Sequence, residues 1–129
     1  VFVAALGFTL VTAACGGAGG STDPITVVKN DAGEISFEGT IHPILLDHCG
    51  KRCHNEENEG GFQVLSYDLV MKGGNRGDTV VPGDPDASQI IGSVTKTAPP
   101  HMPPRIFPAL TEDRIEALRT WIAEGAKQN

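Results

Sequence analysis

The segment Cys49-Gly50-Lys51-Arg52-Cys53-His54 constrains this chain more than any other feature. Two thiols and an imidazole this close together engage one another, a metal or a cofactor, and each outcome fixes the loop that carries them. Three chemistries are open. Cys49 and Cys53 can close a local disulfide, with His54 a bystander. Both thiolates and His54 can hold zinc, with His42, His48 or His101 as fourth ligand in a tetrahedral N/S set. Or the thiols can form thioethers to the two vinyl groups of haem, with His54 binding the iron. The usual attachment pattern is C-x-x-C-H, and this chain has one residue more, C-x-x-x-C-H. Each residue turns a helix by about 100°, so Cys49 must be re-aimed, and a local turn of wider type can do it.

A second segment bears on the choice. Pro99-Pro100-His101-Met102-Pro103-Pro104 presents a methionine between prolines. A thioether is a soft donor, suited to iron and poorly suited to zinc. The flanking prolines fix φ and reduce the freedom lost on ligation. Met102 is therefore the expected distal iron ligand if haem is bound, with the neighbouring His101 as the alternative. His42 and His48 are expected to be exposed or partly packed imidazoles on the first helix.

Size and composition agree with a filled core. The chain has 129 residues, only 5% aromatic, with 16 glycines and 9 prolines. One small, loop-rich domain with so little ring area is marginal on burial alone and leans on a staple, metal or cofactor. The net charge of −6 excludes a phosphate-neutralising surface and with it a nucleic-acid binder. The glycines from Gly73 to Gly77 are not followed by Lys-Ser or Lys-Thr, so no phosphate loop is indicated; they are expected to let the backbone approach a haem edge.

The N-terminal residues read as targeting. Val1 to Val11 are apolar and uncharged, and Thr12-Ala13-Ala14-Cys15 follows. This run is too short to span a bilayer but suits the apolar part of a secretory signal. Residues 1–14 are therefore expected to be a lipoprotein-type signal peptide, incomplete because the initiating Met and a basic start are missing. Cys15 is the expected lipidation site, anchoring an exported protein to a bacterial membrane on its periplasmic or cell-surface side. Residues 15–34, opening with Gly16-Gly17-Ala18-Gly19-Gly20, are expected to form a flexible tether, and residues 35–129 the folded domain.

Within that domain the apolar spacing predicts helices. The first is expected from a Thr40 N-cap into Cys49, with Pro43 in its opening turn, where a missing N–H is harmless; Ser36 is the other candidate cap. Tyr67 to Lys72 is a short helix stopped by Gly73-Gly74. Asp84-Pro85 is expected to open a helix carrying Ile90, Ile91 and Val94. Thr111 caps a last helix with Glu112 and Asp113 in its first turn and Ile115, Leu118, Trp121 and Ile122 on one stripe.

In order and spacing, several of these pieces together resemble the class I c-type cytochromes, and most closely the planctomycete-type cytochrome c domain. They are Ile41-His42-Pro43-Ile44-Leu45 leading into Cys49…Cys53-His54, then Gly60-Gly61-Phe62, Gly73-Gly74, Val81-Pro82-Gly83-Asp84-Pro85 with Ser88, Met102-Pro103-Pro104, Leu110-Thr111 and Trp121-Ile122-Ala123-Glu124-Gly125-Ala126. The resemblance spans about Phe37 to Ala126. It implies an all-α fold, a small helical bundle wrapped around one covalently attached haem c, with the first and last helices crossing. By position it makes Cys49 and Cys53 the thioether links, His54 the proximal ligand and Met102 the distal one.

The expected function is that of an exported monohaem electron carrier rather than an enzyme, since both axial positions are filled. The acidic surface calls for redox partner proteins with a basic docking patch. Two other readings stay open: a haem-free binding or structural lipoprotein stabilised by a disulfide or zinc, and a peroxidase-like haem protein if the distal ligand is labile.

Overall fold

A computed structural model describes residues 21–129. The expected leader 1–14, the lipidation site Cys15 and the first tether residues to 20 lie outside the described residues.

The first helical rod, α1, is made of three stretches in direct succession, Phe37–Ile41, His42–Leu45 and Leu46–Gly50. The outer two have the wide π-type register and the middle one is α-helical. The rod starts earlier than expected. Ser36, not Thr40, is the N-cap, its Oγ accepting from the Gly39 N–H at 3.0 Å. Thr40 instead binds a preceding segment, accepting from Val28 N–H at 2.7 Å and donating to Val28 C=O at 3.0 Å. Pro43 sets the register of the turn before it. Well inside a rod that begins at Phe37, it has no N–H to offer the Gly39 carbonyl, and its ring would clash there in tight α geometry. The Ile41 and His42 N–H groups reach five residues back, to Ser36 O and Phe37 O, which widens the turn ahead of the proline.

Helix α2, Tyr67–Lys72, forms as expected, with Ser66 Oγ accepting from Leu69 N–H and Gly73 ending it at φ 74°. Helix α3, Gln89–Thr95, starts later than expected. Asp84 closes a turn by accepting from Ala87 N–H at 3.0 Å, and the helix begins after Ser88. The buried Ser88 hydroxyl accepts from Val81 N–H at 2.8 Å and donates to Asp84 C=O at 2.8 Å, so it fixes the turn that leads in. Helix α4, Glu112–Ala123, buries the anticipated stripe of Ile115, Leu118, Trp121 and Ile122. The Thr111 hydroxyl bonds the Asp113 carboxylate and accepts from Arg114 rather than capping a backbone N–H.

Helices α1 and α4 pack through Phe37, whose ring lies 5.5 Å from Trp121 and 5.2 Å, edge-on, from Tyr67. The C-terminal residues return to this junction: Asn129 Oδ1 accepts from Phe37 N–H at 2.8 Å, and Tyr67 OH donates to Ala126 C=O at 2.8 Å. Among the described residues the regular elements are helical, joined by long irregular loops, with isolated bridges at Lys29–Ile35 and Gly74–Gly77.

The expected tether behaves differently from residue 21 onward, where it lies along the domain. Ser21 N–H donates to Asp47 at 2.8 Å, Ile25 N–H to Asp113 at 3.1 Å, and Arg114 donates to Asp23 C=O at 2.8 Å. Val28 then passes so close to α1 that a Cβ on Gly39 would fall 2.8 Å from its side chain. The composition signal for a tether covers the Gly-rich residues before Ser21; Ile25, Val27 and Val28 are apolar, and Ile25 packs against the core.

Both carboxylates that pin this strap are held below the ordinary carboxylate range. For Asp113 the causes are the Thr111 hydroxyl and then the Ile25 N–H. For Asp47, burial opposes the charge but is outweighed by the Lys51 ammonium and the Ser21 N–H. A depressed folded-state value means that the docking is complete above the unfolded value of about 3.9 and is lost as pH falls through the folded one. Amide-exchange protection at Ser21 and Ile25, corrected for the intrinsic rate, is expected to stay constant from pH 8 to about 5 and to fall below about 4. Full protection persisting to about pH 2 would contradict the role of these carboxylates.

Candidate haem site

Beyond α1 the chain closes a short loop over Lys51 to His54 that holds the site together. His54 N–H donates to Cys49 C=O at 3.0 Å, again five residues back. The extra residue between the cysteines is thus taken up by a wide turn that continues the π-type end of α1, as the spacing requires. Gly50 is buried in this turn, where a Cβ would come within 3.0 Å of Val64 Cγ2.

His54 is clamped from two directions. Its carbonyl accepts from Val64 N–H at 2.9 Å, and its Nδ1 lies 3.0 Å from Phe62 C=O. A carbonyl can only accept, so Nδ1 carries the proton and Nε2 keeps its lone pair. This is the tautomer and the type of partner that orient a metal-ligating histidine. Phe62 also meets the imidazole edge-on at 5.2 Å. Sequence reasoning saw Phe62 only as part of a motif and missed its carbonyl as the orienting group, because a backbone acceptor leaves no residue-type signal.

The 60–62 turn that supplies this carbonyl depends on glycine. Gly61 has φ +73°, and a Cβ there would fall 2.3 Å from Asn75 Oδ1; one on Gly74 would fall 2.8 Å from Gly60 O. Asn75 N–H donates to Gly60 C=O at 2.8 Å. Gly74 does line the cavity described below. A Cβ on Gly73 would meet the Gly77 carbonyl, and one on Gly74 would also crowd Phe62.

Cys49, Cys53, His54 and Met102 line one cavity of about 1050 Å³. That is just above the roughly 300–1000 Å³ typical of ligand and cofactor sites. Ile90, Val94 and Leu110 give it apolar walls. Met102 is held there by its own backbone, its N–H donating to Ser93 C=O at 3.0 Å. His101 is exposed, whereas Met102 is half-buried. The guanidinium of Arg52 stands over the Phe107 ring at 5.2 Å, tying the loop that bears the cysteines to the loop that bears Met102.

Cys49 and Cys53 are unbridged. Burial, reinforced by the neighbouring Cys53, pushes the Cys49 thiol up to about 12. Among the described residues no three His, Cys, Asp or Glu side chains converge as a metal-ion site. The residues fit a haem: the His54 imidazole oriented through Nδ1, a thioether in the wall of the same chamber, two thiols and apolar sides.

Of the other histidines, His42 stacks on Phe37 at 5.2 Å and bonds Val64 C=O through Nε2 at 3.0 Å. His48 departs further from the expected exposed or partly packed residue, since its side chain is 2% exposed.

Residues 51–105 match a family described as planctomycete cytochrome C. Over those residues the chain is similar to a planctomycete-type cytochrome c domain. The match takes in Cys53, His54, the 60–62 turn and Met102, begins after Cys49, and covers under half of the 129 residues. The all-α, loop-rich architecture of the described residues is consistent with a cytochrome c-like fold. No curated protein and no solved structure matches the chain.

Because the Phe62 carbonyl aims His54, disturbing its turn is expected to be felt at the site. Gly61→Ala would force a left-handed φ on alanine and push Asn75 away, at a cost of about 1–2 kcal/mol. A lowered urea midpoint with an unchanged m-value is the expected result. An unaltered midpoint would show that the turn adapts freely.

Proposed function

We propose that this chain is an exported, monohaem c-type cytochrome that carries electrons, with one haem c bonded through Cys49 and Cys53 and its iron held by His54 and Met102. The observation that carries the reading is the pairing of a His54 imidazole, oriented through Nδ1 so that Nε2 is free, with the Met102 thioether in the wall of the same chamber. When bound, haem supplies a metal that gains and loses one electron.

The protein residues do the rest. Phe62 C=O fixes the ring plane of His54 and raises its basicity as a donor. Met102 contributes a soft donor that favours the reduced metal and raises the potential relative to a second imidazole. The Ser93 bond and the flanking prolines keep that thioether in place, and Arg52 against Phe107 holds the two loops together. Ile90, Val94 and Leu110 give the chamber apolar walls. With two side chains committed to the iron no position is left for a substrate, so the role is a carrier's and not an enzyme's.

Lipidation at Cys15 would tether the domain outside the cytoplasm. No helix among the described residues is long and apolar enough to cross a membrane. The Thr12-Ala13-Ala14-Cys15 pattern supports anchoring by lipid. A net charge of −6 favours redox partners with a basic docking patch and makes the encounter sensitive to salt.

The test is expression in a host that matures c-type cytochromes. One covalent haem per chain is expected by intact mass and by haem staining after denaturation, and the ferric protein should show the sulfur-to-iron absorption band. Met102→Ala should abolish that band and lower the reduction potential, while His101→Ala should leave both unchanged. A colourless product, or a band that survives in Met102→Ala, would overturn the assignment.

A further inference from the structure

A short segment, residues 74–79, joins the two ligand-bearing sides of the large chamber. Gly74 and Gly77 close it into a tight turn, each N–H donating to the other's carbonyl, at 3.1 and 3.0 Å. At one end Asn75 N–H donates to Gly60 C=O at 2.8 Å, beside the Phe62 carbonyl that clamps His54. At the other end Thr79 C=O accepts from Ile90 N–H at 3.1 Å, on the helix whose Ser93 carbonyl holds Met102 N–H. A flat group held by His54 on one face and by Met102 on the other turns its rim, not a face, towards such a wall.

Two side chains of this wall are uncommitted. Arg76, within the turn, lines the chamber and makes no ion pair among the described residues. The other charged residues on the chamber differ: Lys51 pairs with Asp47, Arg52 stands over Phe107, and Glu57 and Glu59 are exposed acids. A guanidinium keeps its proton in a protein, so Arg76 is a fixed positive charge at the chamber. Thr79 is 8% exposed and also lines the chamber. Its hydroxyl makes no hydrogen bond among the described residues and is not sealed off, unlike His48 Nε2 and Asn129 Nδ2. Buried polar groups are almost always paired, so an uncommitted hydroxyl facing a binding chamber marks where a ligand brings a polar atom. With the iron held by His54 and Met102 and the vinyl groups by the cysteines, the rest of the porphyrin perimeter is hydrocarbon except for two propionate carboxylates. We propose that the 74–79 wall seats the haem propionates, Arg76 pairing with their charge and the Thr79 hydroxyl donating to them, an inference that rests on the haem reading above.

Pairing with Arg76 offsets propionate charge that would otherwise favour ferric iron, and it keeps the carboxylate ionised to lower pH. The experiment compares the wild-type holoprotein with Arg76→Leu, Arg76→Lys, Thr79→Val and Thr79→Ser. Arg76→Leu should lower the reduction potential and move the pH range over which the potential falls upward by about one pH unit or more. Arg76→Lys, which keeps the charge, should restore most of both. Thr79→Val keeps the shape and should shift the propionate-bending band in the resonance Raman spectrum, and Thr79→Ser should return it. If Thr79→Val does not mature, the exposed Arg76 decides the matter alone. A potential profile unmoved in Arg76→Leu, or a propionate band unmoved in Thr79→Val, overturns the proposal, as does a lowered thermal midpoint with neither change. The haem reading is judged separately, by covalent haem and the sulfur-to-iron band in the wild type. With both present and the variants unresponsive, only the propionate seat is overturned.

Discussion

The hydrogen bond between His54 Nδ1 and the Phe62 carbonyl is the contact on which the rest of the site depends. It decides which ring nitrogen is free, and it ties the cysteine-bearing loop to the turn at residues 60–62. That turn is braced in its own right by Asn75 against Gly60. A chain of short-range backbone contacts thus runs from α1 through His54 and Phe62 to the loop after α2. Each link allows little give, because at Gly61 and Gly74 there is no room for even a methyl group. Pre-positioning of this kind lowers the ordering cost of binding a large rigid group.

Wide helical turns solve two separate problems in one rod. Ahead of Pro43, i to i+5 bonding makes room for a ring that α geometry would reject. After Leu46 the same register, continued by His54 N–H to Cys49 C=O, takes up the additional residue of C-x-x-x-C-H and still leaves both thiols on the cavity. The widened spacing is therefore accommodated by a regular structural device and not by distortion of a single bond. π-type turns of this sort are frequent at functional sites.

Much of this was legible in the sequence because it rests on side-chain type and period. The stripe of α4, the extent of α2 with its Gly73 stop, and the placement of Cys49, Cys53, His54 and Met102 around one chamber all follow from such signals. The misses share a different cause. The start of α1 at Ser36 depends on a π-type register that no hydrophobic period reports. Asp84-Pro85 has the composition of a helix start, yet the buried Ser88 hydroxyl wins by satisfying two backbone groups at once. The Phe62 carbonyl is invisible as a residue type. The near-complete burial of the His48 side chain likewise has no signal in a linear reading.

That strap also shortens the leash. Ser21 is fastened to Asp47, a residue on the rim of the large chamber, and lies six positions beyond Cys15. Six peptide units span at most about 20 Å even when fully drawn out. With an acyl group on Cys15, the redox centre would be confined to a thin layer above the lipid headgroups. Its search for a partner would then be chiefly sideways across the bilayer, favouring collaborators embedded in or resting on the same membrane over freely diffusing ones.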